Sequence, residues 1–182
     1  MTNSALLVMD VQAGIVSRFD QDSDYLPGLR RAIGAARAAG VPVIYVQVGF
    51  RAGYPEISSH NKGFGAIRDR GGFDEAAMRI HPDVTPLPGE VVVTKRRVSA
   101  FAGSDLDVVL RAGEVRELVL TGIATSGVVL STLRQAADLD FRLTVLSDGC
   151  LDADAEVHRV LTEKVFPRQA EVTTIDAWAK GL

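Results

Sequence analysis

An acid, an amine and a turn rich in small residues each follow an apolar run of strand length in this sequence. Asp10 and Lys95 come directly after the first two of these runs, and the third run leads into the turn at residues 122–127. Ligands of open parallel sheets bind at the carboxyl ends of the strands. We therefore expect a site at one sheet edge, built from a carboxylate, an ammonium group and backbone N–H groups.

Asp10 could act there as an acid, a base, a metal ligand or a helix cap. An aspartyl-phosphate phosphatase would carry a second acid two residues later, where this chain has Gln12. A response-regulator receiver would carry an acidic pair before its phosphorylated aspartate, and that pattern is also missing. These departures exclude both classes, and the position of Asp10 at the end of a strand favours a chemical role over capping.

Lys95 has two interpretations. Close to Asp10, its ammonium group could keep the carboxylate ionised, attract an anionic substrate or stabilise a developing negative charge. Followed by Arg96 and Arg97, it could instead belong to a solvated basic cluster. Guanidinium groups facing the cleft would favour a carboxylated substrate, although alternation along a strand turns neighbouring side chains to opposite faces.

The turn at residues 122–127 contains two glycines and two hydroxyls before a helical pattern. Such a turn presents backbone N–H groups that favour an anion or an oxyanion, so Thr125, Ser126 and Gly127 are predicted to bind substrate. A nucleophilic role for Thr125 or Ser126 is less favoured. Hydroxyls in this position are commonly N-caps, and no histidine lies near in sequence to activate one.

Cys150 is the single cysteine, so the chain cannot form an internal disulfide, which suits a reducing compartment. A free cysteine is most often a small buried hydrophobe, although Cys150 could be a displaced nucleophile. The three histidines, His60, His81 and His158, form no metal-binding pair at helical spacing. We expect neither a metal nor another cofactor.

The composition indicates one globular domain spanning residues 1–182. With 47% hydrophobic and 24% charged residues and a net charge of -3, the chain has no basic field for nucleic acid or anionic membrane. No apolar stretch approaches the roughly 20 residues of a membrane span. The N-terminal apolar run lacks the basic leader and the length of a signal peptide, so we expect a cytoplasmic protein.

Strand-length apolar runs alternate with segments of helical periodicity, which predicts parallel strands with crossover helices. The predicted fold is a three-layer α/β/α arrangement around a mostly parallel sheet of five to six strands. The long segment 51–89, rich in Gly and Pro, is predicted to cover the site or to contact a partner subunit. The predicted strands lie at residues 4–10, 42–50, 91–95, 116–121, 142–147 and 170–174.

In this order and spacing the motifs resemble the isochorismatase-like, or cysteine hydrolase, superfamily along nearly the whole chain. The motifs that carry the resemblance are residues 6–12, 88–90, Lys95 with 99–101, 122–125 and 147–150. The resemblance implies an α/β fold and a homo-oligomer, a dimer or a tetramer, acting on a small-molecule substrate.

The family's catalytic triad is an Asp, a Lys and a Cys, and the resemblance places the first two at Asp10 and Lys95. The family's cysteine position falls on Val128, which has no thiol. The resemblance also implies a cis peptide between Ile123 and Ala124. It implies an oxyanion hole made from the backbone N–H groups of Ala124 and Val128.

Two branches of the family are distinguished by these residues. The nicotinamidase branch binds a metal after the second strand, where residues 46–50 offer no ligand, so nicotinamidase activity is disfavoured. True isochorismatases cleave a vinyl ether with water and need no thiol. There Asp10 would protonate the enol-ether carbon, which requires that burial outweigh Lys95 in setting the pKa of Asp10.

Three hypotheses follow. The leading one is a hydrolase of a small metabolite, carboxylated or not, that works without a cysteine nucleophile, with acid-assisted vinyl-ether hydrolysis as its candidate reaction. The main alternative is a catalytically silent family member that binds a small molecule or serves in assembly. A third is an amide or thiol hydrolase that uses Cys150 or Ser126.

Overall fold

The fold is built on a six-stranded, all-parallel sheet. The computed structural model describes residues 3–19, 24–70 and 74–182. Beginning at one edge, the strand order is β3-β2-β1-β4-β5-β6. The strands are β1 (Ser4–Met9), β2 (Val43–Val48), β3 (Val91–Lys95), β4 (Glu117–Ile123), β5 (Arg142–Leu151) and β6 (Glu171–Thr173).

Helices cover both faces of the sheet, as crossover connections between parallel strands require. Seven α-helices lie in the described residues: α1 (Ala13–Val16), α2 (Tyr25–Ala38), α3 (Lys62–Asp69), α4 (Leu106–Ala112), α5 (Leu130–Asp138), α6 (Ala155–Val160) and α7 (Ile175–Lys180). None of these helices is long and apolar enough to cross a membrane.

Two apolar cores follow from the alternation of side chains along β1. Leu7 and Met9 pack on one face with residues of α4 and α5, and Leu6 and Val8 pack on the other face with residues of α2 and α7. Both faces of β1 are buried, which explains its unbroken apolar sequence. The predicted three-layer α/β/α class is therefore confirmed.

The structure places all six strands where the apolar runs predict them, and every strand end but one lies within two residues of its predicted position. Strand β5 continues to Leu151, four residues past the predicted end, because its pairing with β4 shifts register between Leu120 and Gly122. This irregularity carries β5 beyond the end of its apolar run. The segment 51–89 contains the short helix α3, which the sequence pattern does not reveal.

Gly122 is fixed by backbone geometry at the junction of β1 and β4. Its φ is 144°, and a Cβ there would meet the Met9 carbonyl oxygen and come within 2.9 Å of the Met9 Cβ. We expect Gly122→Ala to lower the free energy of unfolding by about 3 kcal/mol or more, because both the backbone and the strand pairing must shift.

Chemical denaturation measures this loss, and Gly34→Ala is the matched control. Gly34 lies inside α2 with no atom within 4 Å of an added Cβ. That control should stabilise the protein by about 0.5 to 1 kcal/mol. Equal stability of the two variants would contradict a steric requirement at Gly122.

Candidate active site

Asp10 and Lys95 form a buried ion pair at the carboxyl edge of the sheet. The Lys95 Nζ lies 2.9 Å from Asp10 Oδ2, and the two side chains are only 2% and 8% exposed. Asp10 follows β1 and Lys95 ends β3, so the lysine side chain reaches across the end of β2, which lies between them. The sheet order thus brings together an acid and an amine that are 85 positions apart in the sequence.

The backbone of Asp10 turns away from the strand as soon as β1 ends. Its φ is 56°, a conformation that Asp and Asn adopt more readily than most other residues, and its N–H donates to the Val46 carbonyl at 2.8 Å. The two carboxyl oxygens differ: Oδ2 accepts from Lys95, whereas Oδ1 is buried and has no hydrogen-bond partner among the described residues. Oδ1 is therefore the oxygen available to exchange a proton.

Burial raises the pKa of Asp10 to about 6, and this effect outweighs the opposing effects of the Lys95 charge, the Lys95 hydrogen bond and the nearby Val48 N–H group. A carboxyl group with a pKa near 6 populates both protonation states around neutral pH. Asp10 can consequently serve as a proton donor or as a proton acceptor.

The Lys95 ammonium group is held by two acceptors. Besides Asp10 Oδ2, it donates to the Arg97 carbonyl at 3.0 Å. An ammonium group has three N–H donors, so one of them has no acceptor among the described residues.

The side chains of Arg96 and Arg97 are engaged with protein oxygens. Arg96 donates to the Gly49 carbonyl at 2.5 Å and lies 3.5 Å from the Glu56 carboxylate, while Arg97 donates to the Glu56 carbonyl at 2.7 Å. These contacts tie the start of the segment 51–89 to the end of β3. Both guanidinium groups therefore have a structural role, which is to hold these two parts of the chain together.

Gln12 anchors a later part of the same segment, a role that its sequence context does not indicate. Its amide nitrogen donates to the Val48 carbonyl at 3.0 Å and to the Met78 carbonyl at 2.6 Å, and its oxygen accepts from the Val48 N–H at 2.9 Å. The side chain is fully buried. Two residues after Asp10, Gln12 therefore joins β1, β2 and the segment 51–89.

The turn after β4 lies beside Asp10, because Met9 pairs with Gly122. The peptide bond between Ile123 and Ala124 is cis, where the resemblance implies it. A wide helical turn at Thr125–Val129 follows and continues into α5. Val128 is buried in the apolar core on the α5 side of the sheet.

The other predicted residues of the turn are held from a neighbouring segment. The Ser126 N–H donates to Asp152 Oδ2 at 2.6 Å, and the buried Thr125 hydroxyl shares a 2.8 Å hydrogen bond with His158 Nδ1. Gly127 has non-helical backbone angles within the turn. A histidine is thus near Thr125 in space, although 33 residues separate the two in sequence.

His158 is partly buried, which lowers its pKa, while the negative charge of Asp152 opposes that shift. Together with Cys150 and Asp152, His158 lines a cavity of about 870 Å³ that also contacts α2. Asp10 and Lys95 are not among the residues that line this cavity. The turn therefore lies near the Asp10–Lys95 ion pair. Through Asp152 and His158 it also contacts residues that line the cavity.

Cys150 is buried within β5, and burial raises the pKa of its thiol to about 12. A thiol in this state is a poor nucleophile. We expect Cys150→Ala to retain wild-type turnover within about twofold, since the substitution removes one buried sulfur and leaves the ion pair intact. Steady-state kinetics measure the turnover. A loss of more than about tenfold in a folded variant would indicate that Cys150 takes part in catalysis.

Among the described residues, no group of three or more His, Cys, Asp or Glu side chains could hold a metal ion.

Comparison with proteins of known structure extends the likeness to the whole fold. An isochorismatase family protein from Burkholderia thailandensis superposes with a TM-score of 0.85 at 27% identity, covering 99% of this chain and 96% of that one. A cysteine hydrolase from Pseudomonas syringae pv. phaseolicola superposes with a TM-score of 0.90 at 23% identity, covering 98% and 91% of the two chains.

Sequence comparison gives relatives of higher identity. The ureidoacrylate amidohydrolase RutB of Stutzerimonas stutzeri is 35% identical, covering 97% of this chain and 77% of the relative. The protein of the same name from Variovorax paradoxus is 34% identical over 99% of this chain and 81% of the relative. The family model of the isochorismatase domain matches residues 4–177. The chain therefore belongs to the isochorismatase family of hydrolases.

Proposed function

We propose that the protein hydrolyses a small metabolite without a thiol nucleophile, with Asp10 as the group that transfers the proton. The observation that carries this proposal is the asymmetry of the Asp10 carboxyl group. Lys95 holds Oδ2, while Oδ1 is buried without a partner among the described residues. Such an oxygen can give or take a proton without first breaking a hydrogen bond to the protein.

The residue at position 128 supports a route that needs no thiol. The side chain there is a valine, and the single cysteine of the chain is buried in β5 with a raised thiol pKa. Water must then supply the attacking oxygen. The remaining question is whether Asp10 acts first as an acid or as a base.

As an acid, Asp10 would act on a vinyl ether. Protonated Asp10 gives its proton to the terminal carbon of the enol ether, and the electron pair of the double bond forms the new C–H bond. Water adds to the resulting oxocarbenium ion and returns a proton to the Asp10 carboxylate. The hemiketal then separates into a ketone and an alcohol. With a pKa of about 6, roughly a tenth of the Asp10 side chains carry the required proton at pH 7.

As a base, Asp10 would act on an amide, and the names of the ureidoacrylate amidohydrolase relatives favour this second candidate. Ionised Asp10 takes a proton from water while the water oxygen attacks the carbonyl carbon. The backbone N–H groups of Ala124 and Val128 are proposed to stabilise the oxyanion. Asp10 then gives the proton to the departing nitrogen as the C–N bond breaks.

Turnover of isochorismate and of ureidoacrylate in D₂O tests the proposal, with products analysed by mass spectrometry. Vinyl-ether cleavage of isochorismate places one solvent deuterium on the carbon that Asp10 protonates and releases a ketone and an alcohol. Amide cleavage of ureidoacrylate breaks a C–N bond and releases an enamine, which takes up deuterium on carbon in solution afterwards, so this route is identified from the masses of its two fragments. Cleavage of either compound supports a hydrolase, and the product fragments separate the two routes. Absence of turnover on both would contradict the proposal and favour the silent, ligand-binding alternative.

The pH dependence of kcat/KM separates the two routes independently. If protonated Asp10 is the acid, activity should fall about tenfold per pH unit above the Asp10 pKa of about 6, because the acid form is lost. If ionised Asp10 is the base, activity should instead rise to a plateau above about pH 6. Values of kcat/KM measured between pH 4.5 and 8.5 show whether activity falls or rises with pH. A flat profile would argue against both roles of Asp10.

A further inference from the structure

The turn that follows the cis peptide is held by two hydrogen bonds from one neighbouring segment. Asp152 directly follows β5, and His158 lies on the first helix after it. Asp152 Oδ2 accepts the Ser126 N–H at 2.6 Å, and His158 Nδ1 shares a 2.8 Å hydrogen bond with the Thr125 hydroxyl. Two consecutive residues of the turn, Thr125 and Ser126, are thus hydrogen-bonded to one short segment, residues 152–158.

The contact to Ser126 is a charge-assisted hydrogen bond to a backbone donor, which is stronger than one between neutral groups. It occupies an N–H group that would otherwise be available to an anionic ligand. The carboxylate therefore fixes the backbone of the turn at Ser126, and the N–H groups of Gly127 and Val129 donate to the Ala124 carbonyl within the same turn.

The contact to Thr125 is better suited to positioning than to nucleophilic attack. The Thr125 side chain is fully buried, so its hydroxyl cannot reach a substrate carbonyl without a rearrangement of the core. Its partner His158 is only partly buried and lines the cavity of about 870 Å³. The hydrogen bond accordingly anchors the buried side of the turn to α6.

We propose that Asp152 and His158 are positioning residues that clamp the turn and thereby place the backbone N–H groups of Ala124 and Val128 for the reaction at Asp10. This inference rests on the proposed hydrolytic function. A displacement of about 1 Å in a preorganised site can cost roughly 100-fold in rate, so loss of the clamp acts on turnover more than on substrate binding.

Four variants test the clamp. Asp152→Ala removes the acceptor of the Ser126 N–H, and His158→Ala removes the partner of Thr125. Each is expected to lower kcat by about 10- to 100-fold while KM changes by less than about threefold. Asp152→Asn and His158→Asn retain a hydrogen-bonding atom at nearly the same place and should recover most of that loss.

Asp154→Asn is the matched control, since Asp154 also lies between β5 and α6 but caps α6 through Glu156 and Val157. Asparagine caps helices as well as aspartate does, so kcat should stay within about twofold. A loss of thermal stability in Asp152→Ala and His158→Ala, with kcat per folded molecule unchanged, would overturn the proposal.

A double-mutant cycle shows whether His158 acts through Thr125. Thr125→Val removes the same hydrogen bond from the other side, so the Thr125→Val/His158→Ala double variant should lose no more activity than the more impaired single variant. Multiplicative losses would mean that His158 acts elsewhere, and they would overturn its role in the clamp.

Amide hydrogen exchange of Ser126, followed by NMR, tests the clamp even if the wild type cleaves neither isochorismate nor ureidoacrylate. The Ser126 amide should exchange at least about tenfold faster in Asp152→Ala than in the wild type, and at the wild-type rate in Asp154→Asn. Equal protection in all three proteins would overturn the clamp. Absence of turnover with the predicted exchange pattern would overturn the proposed function alone.

Discussion

Asp10→Asn is expected to reduce turnover by about 1,000-fold or more on whichever compound the wild type cleaves. An amide cannot exchange a proton as a carboxyl group does, and general acid–base catalysis accounts for about 10² to 10⁴ in rate. Asparagine is the substitution of choice because it tolerates the positive φ of this position and still accepts a hydrogen bond from Lys95. The measurement is kcat/KM from the initial rate of product formation.

Two controls keep this result interpretable. Asp83→Asn makes the same chemical change at an exposed position and should leave kcat/KM within about twofold. Circular dichroism and thermal unfolding of Asp10→Asn establish that the variant is folded, since the change leaves the Lys95 charge without its counterion. A folded Asp10→Asn protein that retains more than a tenth of wild-type activity would exclude Asp10 as the proton-transfer group.

Much of the fold could be predicted from the sequence because its signals are local. Each of the first four strands coincides closely with an apolar run, and β5 begins in one. The stretches between most of the strands carry a helical repeat, as in α2 and α5. Helix α3 lacks such a signal, since its eight residues include two glycines and only one buried position. Its place depends on contacts such as that from Arg68 to the Ile57 carbonyl, which have no local pattern.

The meeting of Asp10 and Lys95 at one sheet edge could be predicted for a related reason. Asp10 and Lys95 each break an apolar strand at its carboxyl end, and parallel topology brings such ends to one edge. The sequence could not decide whether burial or Lys95 controls the pKa of Asp10. That outcome depends on how completely the folded chain excludes water from the carboxyl group, and burial proves to be the larger effect.

The residues that support the site could not be predicted, because their partners are distant in sequence. Gln12 bonds to Val48 and Met78, and His158 bonds to Thr125, through contacts that exist only after the sheet has formed. Their residue types give no independent signal: a glutamine after a strand and a histidine on a short helix are common in any soluble domain. Only the three-dimensional arrangement shows what they hold in place.

Lys95→Met is expected to lower kcat/KM by about 100-fold and to move the pH profile to higher pH. Methionine keeps the length of the side chain but removes the charge that stabilises the ionised Asp10 carboxyl group and any negative charge that develops beside it. Because Lys95 lowers the pKa of Asp10, its removal raises that pKa above about 6. The inflection in a plot of log kcat/KM against pH should move upward whether Asp10 acts as acid or as base.

The stability of Lys95→Met should depend on pH with a definite sign. Removing one partner of a buried ion pair usually costs about 3 to 5 kcal/mol, because the other charge is left unpaired. Here Asp10 can take up a proton instead. In the pH range between the Asp10 pKa values of the unfolded and folded chains, only the folded chain keeps this proton. The free energy of unfolding should therefore fall as the pH rises through that range, by about 1.4 kcal/mol per pH unit from Asp10 alone.

Denaturation of Lys95→Met and of the wild type at pH 5, 6, 7 and 8 measures this dependence. The difference between the two proteins should be smallest at pH 5 and should grow toward pH 8. A difference that is constant with pH, together with an unmoved kinetic inflection, would mean that Lys95 does not set the protonation of Asp10. The ion pair would then serve only to hold β1 and β3 together across β2, and the proton-transfer role of Asp10 would lose its electrostatic basis.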